Sequence, residues 1–268
     1  MIAVLDSVLR EIAQEIAAFE PERGGALLGP PGRPFVTRFL SDPGAEVTRA
    51  SYRPSVDLNL RVKAVEREEG LELKGLVHSH PAGMDHPSMQ DAYELGVGLG
   101  LNPHMPSYLA PIVTVRSVQD ALSDHELPCG RGVISFHAGF RSRGRTASVK
   151  AVPVKEVPML RDLERVRTVF GGEAPSVFLA DLGGVDVPAG RLVLDGGLEL
   201  LLLAGEHYPA LPPIVLATPA GGETEQLRIY WPIEVAAEER LVVALRPVLQ
   251  APGPYRKAWG VEGGPALT

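Results

Sequence analysis

The stretch "GLVHSHPAGMDHPSMQD" at 75–91 gathers three histidines and two aspartates around two prolines, directly after an apolar run. Successive side chains of a strand point to opposite faces, so His78 and His80 leave one face together if this run is extended. Two imidazoles at that spacing make a compact clamp for a metal ion. Pro81 ends the strand, and the loop 82–87 leads into a helix beginning near Ser88. Ser88 and Asp91 are three apart and share a face of that helix, so Asp91 becomes a third ligand if the helix packs against the strand end. Two nitrogens and one carboxylate oxygen, with a fourth position open, is the composition of a catalytic zinc site. A hydrolytic zinc site also needs a base for the attacking water. Upstream, "PERGGALLG" sets Glu22 just before a Gly-Gly-apolar strand; by itself such a glutamate is a solvated carboxylate after a helix.

The elements that must position these groups follow from periodicity. Val4, Leu5, Val8, Leu9, Ile12 and Ile16 recur at three- and four-residue spacings and predict an amphipathic helix over 2–19. "GGALLG" reads as a short buried strand, "PPGRP" at 30–34 as a turn, and 35–40 as a second strand. Residues 56–70 read as a helix stopped by Gly70, and "LELKGLVHSH" as a strand with the histidines at its C-terminal end. A helix over 88–99 and strands at 110–117 and 132–141 complete one α+β domain, placed at 1–150. Residues 144–158 are extended and proline-spaced, a linker or a closing strand. A second, smaller α+β domain at 151–268 has a helix over 159–170. Strands follow near 175–181, 191–195, 197–204, 213–218 and 226–231, then a helix over 233–248.

Composition narrows the function classes. Apolar residues at 45% with 22% charged residues is a globular balance. A net charge of −7 gives a nucleic-acid partner no electrostatic support, and the basic run "RSRGR" at 141–145 reads as solvated loop. No apolar run reaches the roughly 18 residues that span a bilayer, so no membrane partner is expected. Cys129 is the only cysteine, which excludes an internal disulfide and a multi-thiolate metal site and suits the cytoplasm. It lacks the histidine-aspartate context of a thiol nucleophile. Asp85 and His86 fall in the loop between candidate ligands and read as solvent or substrate contacts; His104, His125, His137 and His207 have no paired spacing. Glu20 is out of register to be the base.

A glutamate before Gly-x-Leu-x-Gly, then His-Ser-His-Pro, seven residues between His80 and Ser88, and Asp91 three beyond, resembles the JAMM motif of catalytically competent MPN (JAB) domains, prokaryotic type. The resemblance covers about residues 1–140 and implies a mixed β-sheet flanked by helices. It implies that His78, His80 and Asp91 bind one zinc ion, that Glu22 activates its water, and that Ser88 helps to hold the oxyanion. The implied activity is that of a zinc metallopeptidase, a deubiquitinase-like isopeptidase cleaving the amide bond after the C-terminus of a ubiquitin-like modifier. Its partners would be that modifier or its conjugates, together with conjugation-pathway enzymes. Some bacterial relatives act instead on sulfur-carrier adducts, and scaffold members of the family typically lack ligands.

In the second half, a helix, several strands and then Tyr208-Pro209-x-x-Pro212-Pro213 resemble the ubiquitin-conjugating-enzyme (UBC-like) fold over about 158–248. An active conjugating enzyme needs a cysteine shortly after that turn, and the chain has none beyond Cys129. The resemblance therefore implies a non-catalytic domain of that fold.

Overall fold

The strand Glu72–Ser79 is the spine around which the first half of the chain is assembled. In this computed structural model, which describes residues 1–16, 22–47, 52–116 and 121–250, the chain divides into two units, Met1–Glu156 and Val157–Thr268. The architecture is α+β in both. The spine strand pairs antiparallel with Gly24–Gly29 on one side and parallel with Ser107–Leu109 and Ile112–Thr114 on the other. It lies inside a nine-stranded sheet, and such internal strands read as continuous apolar runs. Gly75 sits where the backbone of Leu109 crosses most closely: a Cβ there would lie 2.0 Å from the Leu109 carbonyl oxygen.

Three helices flank this sheet, Asp6–Glu15, Val56–Glu68 and Met89–Leu101. The first is shorter than the expected 2–19. Ile2–Leu5 is instead a strand, pairing parallel with Phe35–Val36. Its apolar residues are contiguous, and all but Ile2 are buried, so the run suits a covered strand better than a one-faced helix. Residues 17–19 of the expected helix, and Ser117 of the expected strand 110–117, lie outside the described residues. The second helix begins as its sequence demands: the Ser55 hydroxyl accepts the Leu58 amide at 3.0 Å, and Gly70 follows its end with a φ of 67°. Residues 148–157 are closing strands and not a linker. Ser148–Ala151 pairs antiparallel with His137–Phe140, and Val154–Val157 joins Ile2–Leu5 and Phe35–Val36 in a three-stranded sheet.

The second unit begins with the helix Met159–Phe170. An antiparallel meander follows in chain order: Ser176–Asp181, Asp186–Val193, Glu199–Leu203, Ile214–Thr218 and Glu225–Leu227. Gly190 lets the helix approach the second of these strands, since a Cβ there would come 2.4 Å from Leu163 Cδ1. The last helix, Arg240–Gln250, starts later than the expected 233. Arg240 explains the delay: its guanidinium donates to the carbonyls of Val235 and Ile233 at 3.0 Å each and of Pro209 at 3.2 Å. Those tertiary bonds hold the preceding segment as turns. The Tyr208 hydroxyl donates to the buried Asp162 at 2.5 Å, and Trp231 Nε1 donates to the Pro209 carbonyl at 3.2 Å. Among the described residues no helix is long and apolar enough to cross a membrane.

The helix Met89–Leu101 allows a matched test of its packing. At Gly96 a Cβ would lie 1.9 Å from the Arg145 carbonyl oxygen, whereas at Gly100 it would meet nothing within 4 Å. Gly100→Ala is expected to raise stability by about 1 kcal/mol through helix propensity. Gly96→Ala is expected to lower it by about 1–3 kcal/mol through overpacking. Urea denaturation of the two variants measures both signs.

Candidate metal centre

Backbone pairing fixes the two histidines before their side chains are considered. His78 lies in register with Gly24 on one side and Ile112 on the other. His80 is one residue past the strand, yet its amide still donates to the Val113 carbonyl at 2.9 Å. The alternation expected of a strand holds, and the two imidazoles meet with their Nε2 atoms 2.9 Å apart. Pro81 then opens a turn in which the Met84 amide donates to the Pro81 carbonyl at 3.1 Å, with Gly83 at a φ of 83°. That turn sets the Met84 carbonyl 3.1 Å from His80 Nδ1. A carbonyl only accepts, so Nδ1 carries the proton and Nε2 presents its lone pair inward.

The third ligand arrives on a helix N-terminus. Ser88 is the N-cap: its hydroxyl accepts the Asp91 amide at 3.2 Å, while Asp91 Oδ2 accepts the Ser88 amide at 2.6 Å. The same carboxylate places Oδ1 3.4 Å from His78 Nε2 and Oδ2 3.5 Å from His80 Nε2. Burial opposes the charge of Asp91, but the facing imidazoles of His78 and His80, together with Ser88, outweigh it and hold the carboxyl well below the usual range. Burial pushes the His80 pKa down, and Asp91 and Glu22 together push it further up.

The capping box accounts for Ser88 and Asp91 without any ion. It does not account for two imidazole nitrogens at 2.9 Å facing a shared carboxylate. Among the described residues, His78, His80 and Asp91 form the one group of at least three such side chains whose ligand atoms all lie within 4.8 Å of one another. Ligands bonded to a tetrahedral ion at about 2.0–2.1 Å stand about 3.3 Å apart. The observed separations of 2.9, 3.4 and 3.5 Å bracket that value, so the donor set fits a small divalent cation.

Glu22 is brought in by pairing between distant segments. The Arg23 amide donates to Ser79 Oγ at 2.9 Å, and the Ser79 amide donates to the Arg23 carbonyl at 2.8 Å. Glu22, the next residue, is buried and feels His80, His78 and Asp91. Burial raises its pKa above the ordinary carboxyl value, and the two imidazoles pull back against it. A carboxylate with raised proton affinity beside a cation site is equipped to take a proton from water near neutral pH.

Three supporting residues escaped the sequence analysis. The Tyr52 ring stacks on His78 at 5.8 Å between centroids and 12° between planes. It occupies the space a side chain at Gly24 would need, for a Cβ there would lie 2.5 Å from the Tyr52 ring. The Tyr52 hydroxyl donates to Asp42 Oδ2 at 3.1 Å, and Asp42 also accepts from the Ser55 hydroxyl at 2.6 Å and amide at 2.8 Å. Ser55 as a helix cap is the one part of this chain of contacts with a local sequence signal.

The remaining candidates fall elsewhere. Glu20 lies outside the described residues. Asp85 holds His86 Nδ1 and lies 3.7 Å from Arg116, so it ligates nothing at the centre. His125 and His137 are not isolated: His137 packs 5.4 Å from His86 and 5.8 Å from His125, ring to ring. Burial, then the charges of His86 and His125, push His137 down to about 4. His104 and His207 are exposed. Cys129 is buried and its thiol is pushed up to about 12, which removes it as a nucleophile.

Residues 5–114 match the family described as prokaryotic homologs of the JAB domain, a span that includes Glu22, His78, His80, Ser88 and Asp91. The matched span covers the greater part of the first unit, Met1–Glu156. The solution structure of a protein from Desulfitobacterium hafniense is 19% identical, with a TM-score of 0.39, covering 59% of this chain and 95% of that one. The crystal structure of a JAB1/MPN domain protein from Archaeoglobus fulgidus is 16% identical, with a TM-score of 0.29, covering 57% of this chain and 98% of that one. No curated protein matches the chain.

Protein purified without chelators is expected to carry one zinc ion per chain by elemental analysis. The His78→Ala, His80→Ala double variant is expected to carry less than a tenth of that. Unchanged content in the double variant would place the metal elsewhere.

Proposed function

We propose that the first unit is a zinc-dependent isopeptidase, hydrolysing the amide bond after the C-terminus of a ubiquitin-like modifier in deconjugation or maturation. The observation that carries this reading is the buried Glu22 beside the His78–His80–Asp91 triangle, an arrangement with a base and a cation site but no ligand role for the base. JAB/MPN domains include both peptidases and non-catalytic scaffolds, and the complete donor set favours the former.

When bound, the cation would polarise the scissile carbonyl and lower the pKa of water towards about 7. His78, His80 and Asp91 would hold it, with Met84 and Ser88 fixing the orientation of His80 and Asp91. Glu22 takes one proton from the attacking water as its oxygen bonds to the carbonyl carbon. It returns that proton to the amine nitrogen as the C–N bond breaks. The Ser88 hydroxyl, which accepts the Asp91 amide at the helix N-terminus, would turn its O–H to the carbonyl oxygen as negative charge develops there. No covalent enzyme intermediate is needed, consistent with the masked thiol of Cys129.

The second unit, in this reading, is a UBC-like domain without a catalytic cysteine that holds the modifier or a conjugation-pathway enzyme in the cytoplasm. Helix, antiparallel meander, Tyr208-Pro209 turn and closing helix support it. A tethered second contact raises local substrate concentration without altering the chemistry.

Glu22→Gln is expected to retain zinc and lose about 100- to 10,000-fold in turnover. Ser88→Ala is expected to lose about 100- to 1,000-fold, with about 1 kcal/mol of stability from the lost cap. Near-native turnover in Glu22→Gln, measured by release of a modifier from its conjugate, would reject the assignment of the base.

Removing residues 157–268 is expected to raise KM for a folded conjugate at least ten-fold and to leave a short peptide substrate within two-fold. Thermal melting checks that the shortened chain folds. Equal KM for the folded conjugate would make the second unit a stabilising or assembly domain.

A further inference from the structure

Three glycines at two-residue spacing, Gly96, Gly98 and Gly100, lie in the helix Met89–Leu101. Each disfavours a helix relative to alanine by about 1 kcal/mol. Packing against Arg145 explains Gly96, but not Gly98, where a Cβ would make ordinary contact with the Tyr108 ring at 3.7 Å. What Gly98 borders is a cavity of about 330 Å³ between this helix, the spine strand and Tyr52. Leu76, Leu95 and Tyr108 give it an apolar wall, and His78 and Asp91 of the metal centre are themselves at its rim.

The volume is at the lower end of small-molecule sites, about 300–1,000 Å³, a size for one or two side chains. Its polar neighbours are already engaged: the Asn59 amide donates to the Ser55 carbonyl at 3.1 Å, and Glu94 accepts from Gln90 at 2.7 Å. The carboxylates of Glu94 and Asp91 disfavour an acidic occupant. Met89, Tyr93, Val97 and Leu101, four apart along the same helix, continue from the cavity as an exposed apolar stripe.

We infer that this cavity is a specificity pocket for a large apolar side chain of the substrate polypeptide, leucine or phenylalanine, within a few residues of the cleaved bond. The inference rests on the peptidase reading above, because His78 and Asp91 border both the pocket and the reacting carbonyl. A chain laid across the metal centre has a flanking side chain within reach of the pocket, and the helix stripe covers the apolar residues beyond it. Absence of a side chain at Gly98 keeps the pocket open at the expense of helix propensity.

Two measurements separate the pocket from the peptidase reading. The first titrates N-acetyl-leucine amide, N-acetyl-phenylalanine amide and N-acetyl-alanine amide into the zinc-loaded Glu22→Gln full chain, followed by methyl NMR. The leucine and phenylalanine probes are expected to bind at least ten-fold tighter than the alanine probe and to shift the Leu76 and Leu95 methyls. Gly98→Leu, which fills the cavity from the helix side, is expected to reduce that ratio below two. Gly98→Ala favours the helix and narrows the cavity less, so it is expected to reduce the ratio about three-fold, which keeps the test valid if the larger variant misfolds. The second measurement uses wild-type protein and internally quenched decapeptide mixtures with leucine or alanine fixed at each position in turn. One position near the cut is expected to favour leucine at least ten-fold, with the preference lost in Gly98→Leu. Equal binding of the three probes, or a leucine preference unchanged by both Gly98 variants, overturns the pocket. Selective binding without any cleavage supports the pocket and counts against the peptidase.

Discussion

The antiparallel pairing of Gly24–Gly29 with Glu72–Ser79 is the constraint on which the site depends. It joins distant segments and sets Gly24 opposite His78 with Arg23 bonded twice to Ser79, the register shifting only at the far end, between Leu27 and Leu28. A slip of one residue would turn every side chain to the other face and carry the histidines away from Glu22. Gly24 makes the register compatible with Tyr52, whose ring fills the space above the glycine and lies flat against His78. Gly24 thus acts through what its missing side chain allows.

A second economy lies in Asp91. Its carboxylate closes a capping box at the start of the helix Met89–Leu101 and faces both imidazoles. A helix N-terminus stabilises negative charge, so the fold supplies an ionised ligand. Desolvation, which would otherwise protonate it, is overcome by the facing imidazoles of His78 and His80 and by Ser88. Among the described residues Glu22 has no comparable donors, and burial leaves its proton affinity high. Two carboxylates in one site are separated in basicity by their hydrogen bonds, as an acid–base group and a charged ligand require. A separate network beyond the centre, in which Arg116 grips Glu126 at 2.9 and 3.0 Å, ties the strand end after Thr114 to the strand Glu126–Cys129.

The second unit shows how a polar knot substitutes for regular structure. Asp162 is buried on the apolar face of its helix and accepts the Tyr208 hydroxyl, while Trp231 and Arg240 converge on the Pro209 carbonyl. Buried polar groups require partners, and this cluster draws three separate segments onto one turn. Apolar periodicity carries no trace of such a contact, which is why the last helix begins seven residues later than its pattern alone predicts.

Local rules decided a good deal of this protein without tertiary help. Two-residue alternation put His78 and His80 on one face, three-residue spacing linked Ser88 to Asp91, and Gly70 stopped its helix, because each rests on backbone geometry over a few residues. The motif that resembles a JAB-type zinc site was legible for the same reason: its members sit at short, fixed offsets, except Glu22. What tertiary structure alone decided was every contact whose partners are far apart in sequence. Ile2–Leu5 became a strand because Phe35–Val36 was there to pair with it. Tyr52 and Asp42 became supports of His78 because sheet pairing brought them beside it, and His86, His125 and His137 became neighbours through three different segments. The cavity behind Gly98 exists because the helix crosses the sheet there, and a helical glycine looks the same in sequence whether it admits a backbone, as Gly96 does, or leaves room for a ligand.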